Sequence, residues 1–128
     1  MKKKLLSSFF ALCLTTTSAA SFAFALPAKD SDTFRNYQPN QYAVSKIISG
    51  RDAYGKVGVL LWEGNTGVHG TVWERCGKPD WFEKKTLYHG ITLPSSDGEA
   101  SIYMNSSCEY KLTLDAGGNT GQGFIRNY

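Results

Sequence analysis

His69, Glu74, Arg75 and His89 are the residues of this sequence whose types could carry a reaction. Two imidazoles, a carboxylate and a guanidinium offer a general acid, a general base and a clamp for developing negative charge. A small secreted ribonuclease or related phosphodiesterase needs such a set. The run that holds most of them, GTVWERCGKPDWFEKKTLYHG, also carries Trp73, Cys76, Trp81 and Tyr88. Whether any of these act together depends on where each side chain points, and that is set by the elements that carry them.

The period-2 rule of extended chain supplies a first answer. In CEYKLTLD, Cys108, Tyr110, Leu112 and Leu114 alternate with Glu109, Lys111, Thr113 and Asp115, so one face is apolar and Cys108 points into a core. A disulfide requires close Cβ atoms, so a partner Cys76 belongs at the same core. Counting back by twos then puts Glu74, Val72 and Val68 inside, and His69, Thr71, Trp73 and Arg75 outside. This assignment buries a carboxylate and exposes an indole, both unfavourable. Three arrangements relieve the conflict: a β-bulge between Val72 and Cys76, a Cys76 lying past the strand end where Gly77 frees its direction, or a Trp73 that truly faces outward. His89 shares the inner phase of its own strand with Leu87 and Ile91, as expected of a core-edge histidine with a hydrogen-bond partner. The four reactive residues therefore divide between two faces, and hydrolysis is the weakest of the readings.

The outer phases are more informative. His69, Trp73, Arg75, Tyr88 and Tyr103 form one candidate binding face if their strands are neighbours, suited to a protein partner or a sugar. Trp62, within the apolar run VGVLLW, is expected in the core.

Metal and cofactor signatures do not arise. There is no HExxH or CxxC pattern, nucleophile elbow or phosphate-binding glycine loop. Two histidines 20 positions apart do not make a zinc site. The turn DAGGNTG fails the calcium-loop pattern at its third position, Gly117, and Asp30 and Asp32 alone are too few ligands. No cofactor and no metal are expected.

The amino terminus sets the compartment. MKKKLLSSFFALCL joins three lysines to a short apolar run, and Ala23-Phe24-Ala25 ends it in a cleavage pattern. Residues 1–25 thus read as a secretory signal peptide, whose apolar run Leu5 to Leu14 is too short to span a bilayer. Cys13 lacks the small preceding residue of a lipid-attachment box and belongs to that signal. Without these residues, 11 Lys+Arg face 11 Asp+Glu, which removes the compositional case for a nucleic-acid partner. The remaining cysteines, Cys76 and Cys108, are expected to join in an oxidising compartment, secreted or periplasmic.

The supporting elements follow from composition. Residues 26–41 are polar with two prolines and read as a flexible N-terminal arm. Residues 42–128 form one β domain, with strands expected near 42–49, 57–62, 68–76, 87–93, 100–105, 108–115 and 123–128. The stretch 81–85 suits either a capped helical turn or a strand, and 123–128 suits an exposed edge. The fold class is all-β, a small antiparallel sandwich or barrel of six or seven strands with one disulfide. Its expected function is non-covalent binding of a protein partner, as an inhibitor, adhesion or toxin-type module. A carbohydrate-binding module is the alternative, and a hydrolase using His69, His89, Glu74 and Arg75 comes third.

Overall fold

A computed structural model describes residues 25–37, 39–91 and 98–128. The signal-peptide expectation falls almost wholly outside these residues, as does most of the turn before residue 99. Nine strands follow in order: β1 (Ser31–Arg35), β2 (Tyr42–Val44), β3 (Ile48–Ser49), β4 (Ala53–Glu63), β5 (Gly67–Arg75), β6 (Phe82–Gly90), β7 (Glu99–Met104), β8 (Glu109–Asp115) and β9 (Thr120–Arg126). All pairings are antiparallel. One sheet has the order β1-β9-β4-β7; the other has β2-β8-β5-β6, with β3 also on β8. The architecture is a β-sandwich with one Cys76–Cys108 disulfide.

The alternation rule explains the core. Val57 and Val59 of β4 and Ile125 of β9 meet Val68 and Val72 of β5 and Tyr110, Leu112 and Leu114 of β8, all at 3% exposure or less. Between facing sheets these inner side chains form a single cluster. Gly70 keeps the sheets close: a Cβ there would stand 2.5 Å from a Val59 methyl.

One open alternative is settled and three expectations change. The run 81–85 is strand from Phe82 onward, merged with the next segment into β6. The segment read as a loose arm supplies β1, which pairs with β9 from Ser31↔Arg126 to Arg35↔Gln122. Buried Asn127 fastens the residues before it, donating to Ala28 and Ser49 carbonyls and accepting from Asp30 N–H. Because β1 covers one side of β9 and β4 the other, β9 is central and the expected exposed edge at 123–128 does not exist. Finally, Trp62 is 48% exposed rather than buried. Val57, Val59 and Leu61 take the inner phase of β4, and the ladder with β9 slips between Leu61 and Glu63, leaving Trp62 as the unpaired residue of a bulge.

Six of the eight connections change sheet, so the corners need polar fastening. Asn119, 4% exposed, sits at the β8–β9 corner. Its Nδ2 donates to Thr66 Oγ1, the Gly67 carbonyl and the Ala116 carbonyl, while its Oδ1 accepts from Asn65 N–H. Asn36, 2% exposed, accepts from Gly121 N–H and donates to the Asn119 carbonyl. No buried side-chain nitrogen or oxygen among the described residues lacks a partner.

Candidate functional site: the outer face of the five-stranded sheet

The register lays out this face in rows, because residues directly opposite in an antiparallel ladder share a face. One row runs Tyr42, Asp115, His69, Tyr88; the next runs Val44, Thr113, Thr71, Thr86. Lys111, Trp73 and Glu83 follow, then Glu109 and Arg75. Trp73 therefore faces outward, as the third of the expected arrangements requires. Its indole N–H donates to Thr113 Oγ1 at 3.0 Å, which fixes the half-buried ring across the sheet.

Below it, two cations gather on one indole. Arg75 donates twice to Glu109 Oε1, at 3.2 and 3.0 Å, and its guanidinium lies 4.4 Å from the Trp81 ring centre. The Lys111 ammonium approaches the same ring to 4.3 Å. Residues 77–80 bring Trp81 there through Gly77, whose φ of 66° no other residue type adopts so readily. Above Trp73, the His69 and Tyr88 rings meet at 4.7 Å. Gly67 and Gly90 face each other in the ladder, and the Tyr88 ring occupies the space their absent side chains leave: a Cβ on either would lie 2.4 Å from its oxygen.

The conflict at Glu74 resolves without any bulge in its own strand. The β5–β8 register is regular from His69↔Asp115 to Arg75↔Glu109. A slip does occur between Val72 and Trp73 in the β5–β6 ladder, but the extra residue is Lys84, on β6. Glu74 keeps the inner phase near the end of the sheet, where it accepts from Tyr110 Oη at 2.7 Å and from Lys84 Nζ at 2.9 Å. Tyr110 in turn accepts from Asn105 N–H, tying the β7–β8 corner to this pair. Burial alone would raise the Glu74 carboxyl. The bonds from Tyr110 and Lys84, and the Lys84 charge, outweigh it and hold the group below its ordinary value. Burial and the facing carboxylate push the Tyr110 phenol upward.

A depressed carboxyl adds stability above its ordinary pKa and loses that contribution as pH falls through the folded-state value. Glu74→Gln should therefore cost about 1–2 kcal/mol at neutral pH, the difference between a charge-assisted and a neutral hydrogen bond. The cost should fade below about pH 4.5, the ordinary value of the group. Urea unfolding of both proteins at neutral and acid pH measures it; a cost that persists unchanged in acid would contradict the ionic role.

Cys76 lies just past the last residue of β5, opposite Cys108 in the continuing register, with Cα atoms 4.1 Å apart. Cys108 is buried as expected, whereas Cys76 is exposed. Among the described residues, the grouping of potential metal ligands is Glu74, Cys76 and Cys108. Its two sulfurs are bonded to each other, leaving one carboxylate.

Of the five expected binding residues, the sheet unites His69, Trp73, Arg75 and Tyr88. Tyr103 is separate: it lies on β7, in the other sheet, paired with Tyr54. The hydrolytic set does not assemble. His89 points between the sheets, where its Nδ1 accepts from Leu61 N–H at 2.8 Å, while His69 is on the outer face and Glu74 and Arg75 are bound to Tyr110 and Glu109. The face also holds Lys111 and Tyr42, which stand outside the five expected binding residues. The alternation of CEYKLTLD did turn Lys111 outward, but its meeting with Trp81 depends on β5 lying beside β8. No helix among the described residues is long and apolar enough to cross a membrane. Comparison with protein-family models, curated proteins and solved structures yields no match to this chain.

Proposed function

We propose that this is an exported binding protein that recognises a protein partner, without covalent chemistry, through the outer face of the sheet β2-β8-β5-β6. The observation that carries the reading is the fixed cluster of Trp73, Arg75, Trp81 and Lys111, flanked by Tyr42, His69 and Tyr88. Tryptophan, tyrosine and arginine supply most of the energy in protein recognition. Here they are held by neighbours before any partner arrives, so little side-chain freedom remains to be lost on binding. Export is supported by the lysine-led apolar start, the Ala23-Phe24-Ala25 pattern and the disulfide.

The test is capture from envelope and culture-medium extracts, identification of the partner, and calorimetry with that partner purified. Trp73→Ala should weaken binding by about 30-fold or more, the range of a central anchor. The pair Trp81→Ala and Lys111→Glu should act likewise while lowering the thermal melt far less than a core change, since both side chains are half-buried on the outer face and outside the core cluster. His89→Ala should leave affinity unchanged in whatever fraction remains folded. Failure to find a saturable partner, or affinity indifferent to all of these changes, would dismiss the proposal.

A further inference from the structure

The outer face of the sheet β1-β9-β4-β7 has a different chemistry. Three aromatic stations lie along β4. At one end Tyr54 and Tyr103, opposite in the ladder, meet edge to face with centroids 5.6 Å apart and stand 69% and 44% exposed. In the middle Phe124 of β9 lies opposite Gly58, and a Cβ on Gly58 would come within 2.2 Å of its ring, so the ring rests directly on the sheet. At the other end the β4 bulge turns out Trp62, with the Arg35 guanidinium 3.7 Å from its ring centre. A strand advances about 3.3 Å per residue, so the stations are spaced by about 13 Å and extend over about 26 Å in line.

Cations stand between the stations. Lys56 and Arg126 are opposite one another between the first and second, and Arg35 reaches over the third. None of the three makes an ion pair among the described residues, in contrast to Arg75 on the opposite face. Glu63 closes β4, and Glu99 of the edge strand β7 lies opposite Gly58, across it from the middle station, so three cations stand against one acid along the stripe.

We propose that this stripe binds a linear acidic polysaccharide bearing uronic carboxylates. The C–H faces of sugar rings stack on Tyr54, Phe124 and Trp62, and intervening carboxylates meet Lys56, Arg126 and Arg35. Guanidinium groups match carboxylates in charge and in planar geometry. Stations set in line along β4, with cations between them, match the repeat of an extended polymer. The aromatics are carried on strands, with cations between them, and offer no amphipathic helix face to enter a bilayer. Nucleic-acid bases would also stack, but 11 Lys+Arg against 11 Asp+Glu beyond residue 25 supply no general field for a phosphate backbone. The proposal is independent of the partner assigned to the other face.

Calorimetry and affinity electrophoresis of the purified protein with polygalacturonate test it. The controls are methyl-esterified polygalacturonate, dextran, oligo(dT) and phosphatidylglycerol vesicles. Polygalacturonate should bind with an affinity that falls as NaCl rises, and its methyl ester at least about tenfold more weakly, a difference of roughly one good charge contact. Lys56→Gln with Arg126→Gln, and separately Trp62→Ala, should each cost about tenfold or more, with Lys78→Gln as a charge-loss control that changes nothing. Thermal melts establish that these surface variants remain folded. Absence of binding to polygalacturonate, equal binding to its ester or to dextran, tighter binding to oligo(dT) or vesicles, or indifference to both sets of substitutions would each overturn it.

Discussion

Replacing Cys76 and Cys108 together by alanine is expected to lower the unfolding free energy by about 2–5 kcal/mol. The bond closes a loop of 32 residues in sequence, for which chain-entropy arguments give roughly 3–4 kcal/mol. Its position strengthens the case. The two cysteines occupy the ladder position just after Arg75↔Glu109, so folding has already brought them together. The enclosed loop contains β6 and β7, the edge strands of the two different sheets. Without the bond, the unfolded chain gains freedom while the native ladder from His69 to Arg75 stays as it is. Against a total stability of about 5–15 kcal/mol for a domain of this size, the loss is large. Alanine is preferred to serine because Cys108 is 5% exposed and a hydroxyl there would be desolvated. Equilibrium urea unfolding measures the change, and dithiothreitol should bring the parent protein to the stability of the variant. A loss under about 1 kcal/mol would mean that the ladder alone holds β5 to β8 in the unfolded ensemble as well.

Asn119→Ala is expected to cost about 3 kcal/mol or more. The side chain joins two sheet-changing corners, the one before β5 through Thr66 and Gly67 and the one before β9 through Ala116. Its loss orphans carbonyls that water does not readily reach, at about 1–3 kcal/mol for each buried group left unsatisfied. Asn65 N–H loses its acceptor at the same time. Asn119→Asp separates hydrogen bonding from mere volume. It keeps the acceptor for Asn65 but sets a carboxylate oxygen against the Gly67 and Ala116 carbonyls, so it should be at least as damaging as alanine. Thermal unfolding of the two variants checks the order. Aspartate milder than alanine would show that the acceptor, not the donating Nδ2, holds the corners.

Legibility varied from element to element for physical reasons. Glu109–Asp115 alternates cleanly because one side of β8 is buried throughout, and the pleat alone converts burial into a period of two. The outward phase of His69, Trp73 and Arg75 was readable for the same reason, once Cys108 supplied the inner reference. Trp62 reads as a core residue in the sequence because hydrophobicity carries no sign of a bulge. The bulge is a relation between β4 and β9, whose residues are distant in sequence. Ser31–Arg35 does not read as a strand in the sequence because its strand character comes from β9 and from Asn127 rather than from its own polar composition. Asn36, Asn119 and Asn127 have the composition of ordinary turn residues, and nothing local tells a turn asparagine from one that is buried and fully bonded.

By itself, then, the sequence determined the β class, the pair of cysteines that join, and the two faces of β5 and β8, all of which follow from local alternation and from the chemistry of thiols. Only the tertiary structure decided which strands are neighbours. That choice brought Trp81 between Arg75 and Lys111, sent Tyr103 to the opposite sheet, gave Glu74 its Tyr110 and Lys84 partners, and aligned Tyr54, Phe124 and Trp62 on a second face. A side chain's phase is a property of its own strand, whereas a surface is made by several strands at once. The pairing that builds it is settled by burial shared among residues that the sequence keeps far apart.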